Sequence, residues 1–169
     1  MHQTPYVHRM FRDVFTGIDT RQKKAIPINE LHTLLNEDPQ SDKLRRTQAI
    51  ANLLFLFCGM PFVDLAYLEK SNLEGNMLKY NRAKTGIPMN VEILDSAATI
   101  ISQLRNKHTT VLPEHPDYLF YILSGKNKRS DEAGYKEYQS ALRCFNNDLK
   151  SLARKLCIRS SVTSYTFRH

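Results

Sequence analysis

The helical period dominates the first third of the chain. Ile50, Leu53, Leu54 and Phe57 recur at i, i+3, i+4 and i+7, predicting a helix that starts at Ser41 or Asp42 and is stopped by Gly59. A shorter helix is predicted before it in "INELHTLLN", and "PFVDLAYL" after it opens with Pro, as one or two further helical turns do. The period then changes. In "MLKYNRAKTGIPMNVEIL" the apolar residues alternate on both sides of a Thr-Gly pair, Leu78 and Tyr80 before it and Met89, Val91 and Ile93 after it, which predicts a β-hairpin with Lys84 at its tip. Helix returns in "DSAATIISQLRNKH", where Asp95 or Ser96 can cap and Arg105, Lys107 and His108 suit the negative end of the dipole. "DYLFYIL" fits a strand or a buried helix equally. The loop "SGKNKRSDEAG" leads into a long helix reaching about Cys157, with Tyr138, Leu142, Phe145, Leu149, Leu152 and Leu156 on one stripe. Finally "SYTFRH" reads as the first turn of another helix, with Thr163 and Ser164 as capping candidates. The pattern is that of a mainly helical α+β domain with one small antiparallel sheet.

Composition narrows the class. The 169 residues are 41% hydrophobic and 24% charged, which suits one soluble domain with a real core. The most apolar stretch, "AIANLLFLFCGM", is too short to span a bilayer, and "MHQTPYVHRMFRDV" lacks the apolar centre of a signal peptide, so neither membrane insertion nor export is expected. Cys58, Cys144 and Cys157 have no metal-type spacing, which fits free thiols in a reducing cytoplasm. His108 and His115 have no ligand-like companions, so no metal is assigned. Residues 1–26 are basic and poorly periodic, with a boundary near Pro27.

Charge adds a partner. A net charge of +7 favours a polyanion, although a merely basic surface has the same balance. Candidate contacts are Arg82 in the hairpin, Lys126, Lys128 and Arg129 in the loop, and Arg143, Lys150 and Arg154, which share the face of the long helix opposite its apolar stripe. Such a stripe is also what a solvated helix face looks like.

Three segments, in order and suitably separated, carry a family resemblance over residues from about 27 to 169. "LFLFCGMPFVDLAYL" resembles the first box of the tyrosine recombinases (the phage-integrase family), "YNRAKTGIPMNVEI" its lysine hairpin, and "TSYTFRH" the start of its second arginine box. The likeness is to the catalytic domain, and particularly to the bacterial mobile-element branch. It implies a bacterial, cytoplasmic DNA strand transferase acting on double-stranded DNA and, at full length, self-associating on it. In that chemistry a tyrosine attacks the scissile phosphate, forming a 3′-phosphotyrosyl link and freeing a 5′-hydroxyl, and no metal or nucleotide cofactor is consumed. The demand is to stabilise a pentacoordinate phosphorane and to protonate the departing oxygen. By resemblance, Arg168 grips non-bridging oxygens, Lys84 protonates the 5′-oxygen, and Asp64 supports the site without touching phosphate. Tyr165 and His169 are supporting candidates.

The chain departs from the family pattern in three places. The first-box arginine expected beside Gly59 is absent, since its neighbours are Cys58, Met60 and Pro61. Tyr165 stands where the family usually has His or Lys, and a phenol is a poorer acid at neutral pH. The third-box residue and the nucleophilic tyrosine would follow His169. "SYTFRH" is therefore expected to be a catalytic helix cut short by a chain boundary, a frameshift or a truncated gene. Residues 1–26 are expected to be the linker from a missing N-terminal DNA-clamping domain, and residues 27–169 a partial catalytic domain. The alternative is a catalytically inactive DNA-binding remnant or accessory module of the same fold. Each residue also has a plainer role: Lys84 as a solvated hairpin lysine, Asp64 as a first-turn carboxylate, Arg168 as a chain-end cap, and Tyr165 as packing. Lys-Thr-Gly also occurs in penicillin-binding proteins, but their Ser-x-x-Lys and Ser-Asp-Asn partners are missing here.

Overall fold

A computed structural model describes residues 25–105, 117–127 and 129–168. Its centre is α2 (Asp42–Leu56), whose Ile50, Ala51, Leu53 and Leu54 are buried on the stripe that the periodicity predicts. Helix α1 (Ile28–Asn36) packs on it, as do α4 (Asp95–Leu104), α5 (Glu132–Lys155) and a 3₁₀ turn at Thr166–Arg168. The helix ends in two consecutive left-handed residues, Cys58 at φ 55° and Gly59 at φ 74°, and Met60 N–H reaches back to the Leu54 carbonyl at 3.0 Å. This reversal launches α3 (Phe62–Ala66), with Pro61 at its N-cap, where no backbone N–H need be satisfied within the helix.

The hairpin forms as its alternation predicts. Strands β2 (Met77–Asn81) and β3 (Pro88–Glu92) pair antiparallel from Met77 opposite Glu92 to Asn81 opposite Pro88, burying Leu78 and Tyr80. Its turn closes through Arg82 N–H to Ile87 O at 2.9 Å and Gly86 N–H to Arg82 O at 2.8 Å, with Gly86 at φ 70°. A third strand, β1 (Leu73–Glu74), pairs with β2 and gives the order β1-β2-β3. Two residues are too few for a period to show in sequence.

Other expectations need correction. At α4 neither Asp95 nor Ser96 caps; Leu94 holds the N-cap position and its side chain has nothing to offer. "DYLFYIL" is neither strand nor helix. It forms two single bridges, Tyr118 to Glu69 and Phe120 to Arg105, with a bend at Leu119 and a turn at Tyr121 and Ile122, while Leu119 N–H bonds Leu68 O at 2.7 Å. With no continuous strand beside it, its backbone pairs one residue at a time, yet Tyr118, Leu119, Phe120 and Leu123 are all buried. The final segment winds as a single 3₁₀ turn within the described residues rather than an α-helical one. Residues 1–24 of the expected linker, together with Lys107, His108, His115, Lys128 and His169, lie outside the described residues. No described helix is long and apolar enough to cross a membrane.

The core joins these pieces through α5, whose Phe145, Leu149 and Leu152 are buried against α2 and α3. Phe145 stacks on Phe62 with ring centroids 4.7 Å apart. Truncating Phe145 to Ala removes this ring and leaves a cavity, so the urea midpoint should fall by an amount equivalent to about 3–5 kcal/mol.

Candidate active site

The site is built around Asp64. It occupies the first turn of α3 with its side chain only 1% exposed. Oδ1 accepts the Ala83 amide N–H at 2.9 Å, so the carboxylate of α3 holds the turn of the hairpin. Oδ2 is buried and has no hydrogen-bond partner, with the nearest cation, Arg82 Nε, at 4.0 Å. Burial pushes the Asp64 pKa above the ordinary carboxylate range, and the Ala83 bond and the charges of Arg82, Arg129 and Arg168 oppose the shift in that order. Guanidiniums from three segments remote in sequence thus act on one carboxyl.

Lys84 follows the anchored Ala83 and is exposed at the hairpin tip, where the alternation places it. Arg168 is exposed on the 3₁₀ turn while its neighbour Phe167 is buried. The turn is tied to α5 by Ser164 N–H to Asn146 Oδ1 at 2.8 Å, and Thr163 N–H donates to Thr166 Oγ1 at 3.0 Å. Gly59 lies directly beneath it. A Cβ there would stand 3.0 Å from the Phe167 carbonyl oxygen and 3.1 Å from Arg168 Cα, so the glycine both adopts its left-handed conformation and lets the turn approach. The Gly59 reversal and the turn that carries Arg168 therefore meet backbone to backbone. Tyr165 lies under the Arg168 guanidinium, with the ring centroid 5.0 Å from its carbon.

An open cleft of about 210 Å³ adjoins Asp64, and Tyr67, Tyr80, Asn81 and Arg129 share its lining. Arg129 lies across the Tyr67 ring at 5.0 Å. Sequence reasoning missed Tyr67, Tyr80 and Asn81, and it could not have found the Ala83 amide, because a backbone donor leaves no mark on residue identity. Burial raises the phenol pKa of Tyr67, Tyr80 and Tyr138 and pushes that of Tyr118 up to about 12, so these rings stay protonated at neutral pH. Arg143, Lys150 and Arg154 are exposed along one side of α5, and Lys126 is exposed in the loop before it; none of the four takes part in the interactions of Asp64. Among the described residues there is no cluster of three His, Cys, Asp or Glu that could hold a metal.

No protein-family model and no curated protein matches the chain. Among solved structures, the crystal structure of XerA recombinase matches with a TM-score of 0.57 at 20% identity, covering 91% of this chain. The chain has the fold of that recombinase. It spans 50% of that protein's length. The mainly helical domain with a small antiparallel sheet, expected from the pattern and from the resemblance, is the architecture observed.

Two variants probe this geometry. Because burial raises the folded-state pKa of Asp64 above 3.8, the contribution of Asp64 to wild-type stability is greatest where the carboxyl is protonated in both states and falls as pH rises from there through the raised value. Asp64→Asn carries no such penalty, so its melting temperature relative to wild type should rise across that window and hold its gain at neutral pH; a constant difference at all pH values would contradict this. Gly59→Ala forces a left-handed alanine against the Phe167 carbonyl and should cost about 1–3 kcal/mol in chemical denaturation.

Proposed function

We propose that the chain is the greater part of a tyrosine-recombinase catalytic domain, and that Arg168, Lys84 and Asp64 form its phosphate site. The observation that carries this reading is the Asp64–Ala83 bond. It fastens a lysine hairpin to the helix that follows the Gly59 reversal, while Gly59 itself seats Arg168, and the whole stands on a fold shared with a recombinase.

The chemistry follows from the charges. As a tyrosine oxygen adds to phosphorus, negative charge grows on the non-bridging oxygens, and a guanidinium fork at Arg168 meets it with paired N–H donors. The bond to the 5′-oxygen breaks, and Lys84, on a flexible stem at an exposed tip, can deliver the proton that oxygen needs. Asp64 stays out of contact with phosphate; it positions the hairpin and draws the surrounding cations together. Tyr165, its ring beneath the Arg168 guanidinium that would grip the phosphate, is not disposed to attack in line with a scissile bond. Arg82, Lys126, Lys128, Arg143, Lys150 and Arg154 extend the contact along duplex DNA, with His169 next to Arg168 in sequence as a supporting residue. The same reading implies a bacterial cytoplasmic protein that self-associates on DNA at full length. A second reading, an inactive DNA-binding module of the same fold, is favoured by one observation: the Cys58–Pro61 turn offers no cation.

Binding to a labelled duplex should weaken steeply with salt, by about 0.9 in log-log slope for each phosphate neutralised, and Lys84→Ala and Arg168→Ala should each flatten that slope. Salt-independent binding would contradict the proposal. With a nicked suicide duplex, residues 1–169 should form no covalent adduct, and Tyr165→Phe should leave that result unchanged. An adduct lost in Tyr165→Phe would make Tyr165 the nucleophile and overturn the assignment.

A further inference from the structure

We propose that Arg129 is a second phosphate-gripping residue of this site, delivered by the loop ahead of α5 and positioned by Glu137, in place of the cation missing from the Cys58–Pro61 turn. The inference rests on the phosphate-site reading above and extends it to a residue outside the motifs.

The need is chemical. A phosphorane in transfer carries growing charge on two non-bridging oxygens, each with more than one lone pair, so a second guanidinium adds donors and charge that one fork leaves unsupplied. Around Gly59 nothing helps, since Cys58 is a thiol, Met60 is buried and Pro61 has no donor. Arg82 is close, but it is already engaged. Its Nε faces the Asp64 carboxylate at 4.0 Å, its side chain is two-thirds covered, and its backbone closes the hairpin turn. Its charge offsets the buried carboxylate.

Arg129 has the opposite circumstances. It is exposed, it lines the cleft beside Asp64, Tyr80 and Asn81, and among the described residues it forms no ion pair. Its guanidinium lies on Tyr67 at 5.0 Å from the ring centroid. A cation–π contact of this kind uses none of the guanidinium's N–H hydrogen bonds, so its donors stay available for a phosphate. The platform is well held: Tyr67 meets Tyr118 edge-on at 5.8 Å and Tyr138 at 5.8 Å, and its hydroxyl reaches the Gly134 carbonyl at 3.4 Å.

The loop is held too. Glu137, one turn into α5, accepts Ser124 N–H at 2.5 Å through Oε1 and Asn127 Nδ2 at 3.0 Å through Oε2. Burial would raise its pKa, but these bonds outweigh it and keep the carboxylate ionised below the usual range. Glu137 thus clips the start and middle of the loop to the helix and leaves Arg129 to fall across Tyr67.

The test uses the full chain and a short labelled duplex titrated over a range of salt. Arg129→Ala should weaken binding and reduce the log-log salt slope by about 0.9, the value of one phosphate contact. Arg129→Lys should recover the slope but not the affinity, because a point charge cannot replace the fork. Arg129→Ala and Arg168→Ala should be non-additive, as expected for two groups on one phosphate, whereas Arg129→Ala and Arg154→Ala should add. Glu137→Gln should speed amide exchange over residues 124–127 and weaken binding, with no further effect on affinity in an Arg129→Ala background. An unchanged slope in Arg129→Ala, or strict additivity with Arg168→Ala, would overturn the inference while leaving the phosphate-site reading intact. Absence of DNA binding by the wild type would overturn both.

Discussion

A carboxylate taken out of water must find donors and counter-charges or take up a proton, and in this protein that requirement gathers the site. Asp64 obtains one strong bond, from the Ala83 amide, and keeps one oxygen without a hydrogen bond. Its remaining compensation is electrostatic and comes from Arg82, Arg129 and Arg168. The single bond does two things at once. It stabilises the ionised form of a buried acid, and it fixes the hairpin turn one residue before Lys84, so an exposed lysine gains a defined base without losing its reach.

The second constraint is steric and lies at Gly59. The chain must reverse between α2 and α3 so that Asp64 faces inward, and at the same place the 3₁₀ turn carrying Arg168 must pass within contact distance. Only a residue without a side chain does both. Its conformation and its contact surface are therefore a single requirement. The tie from Ser164 to Asn146 on α5 and the burial of Phe167 hold the other side of the contact. A packed aromatic set at Phe62, Tyr67, Tyr118, Tyr138 and Phe145 fixes α3 relative to α5, so carboxylate, hairpin and loop share one rigid frame.

Electrostatics then separates cations of similar type. Arg82 and Arg129 both border Asp64, yet Arg82 is largely covered and faces the acid, whereas Arg129 is exposed and rests on an aromatic ring. The stripe of Arg143, Lys150 and Arg154 is different again, a line of exposed charge along α5 that takes no part in the interactions of Asp64.

What the sequence determined by itself is local. The 3.6-residue period marked α2 and α5, and the change to a two-residue period marked the hairpin, because helix and strand geometry impose those repeats on any half-buried segment. Alternation on both sides of a Thr-Gly pair places Lys84 at the tip, and Gly59 is legible as a helix stop. Only the tertiary structure decided the rest. That the Gly59 turn also receives Arg168, that the Ala83 amide is the partner of Asp64, and that Arg129 lies over Tyr67 are consequences of helices packing across separations of tens to more than a hundred residues. Backbone donors carry no residue signature, a two-residue strand has no period, and a loop arginine looks the same whether it faces water or a buried carboxylate. Proximity between distant segments is set by the closing of the shared core, and no local pattern along the chain encodes it.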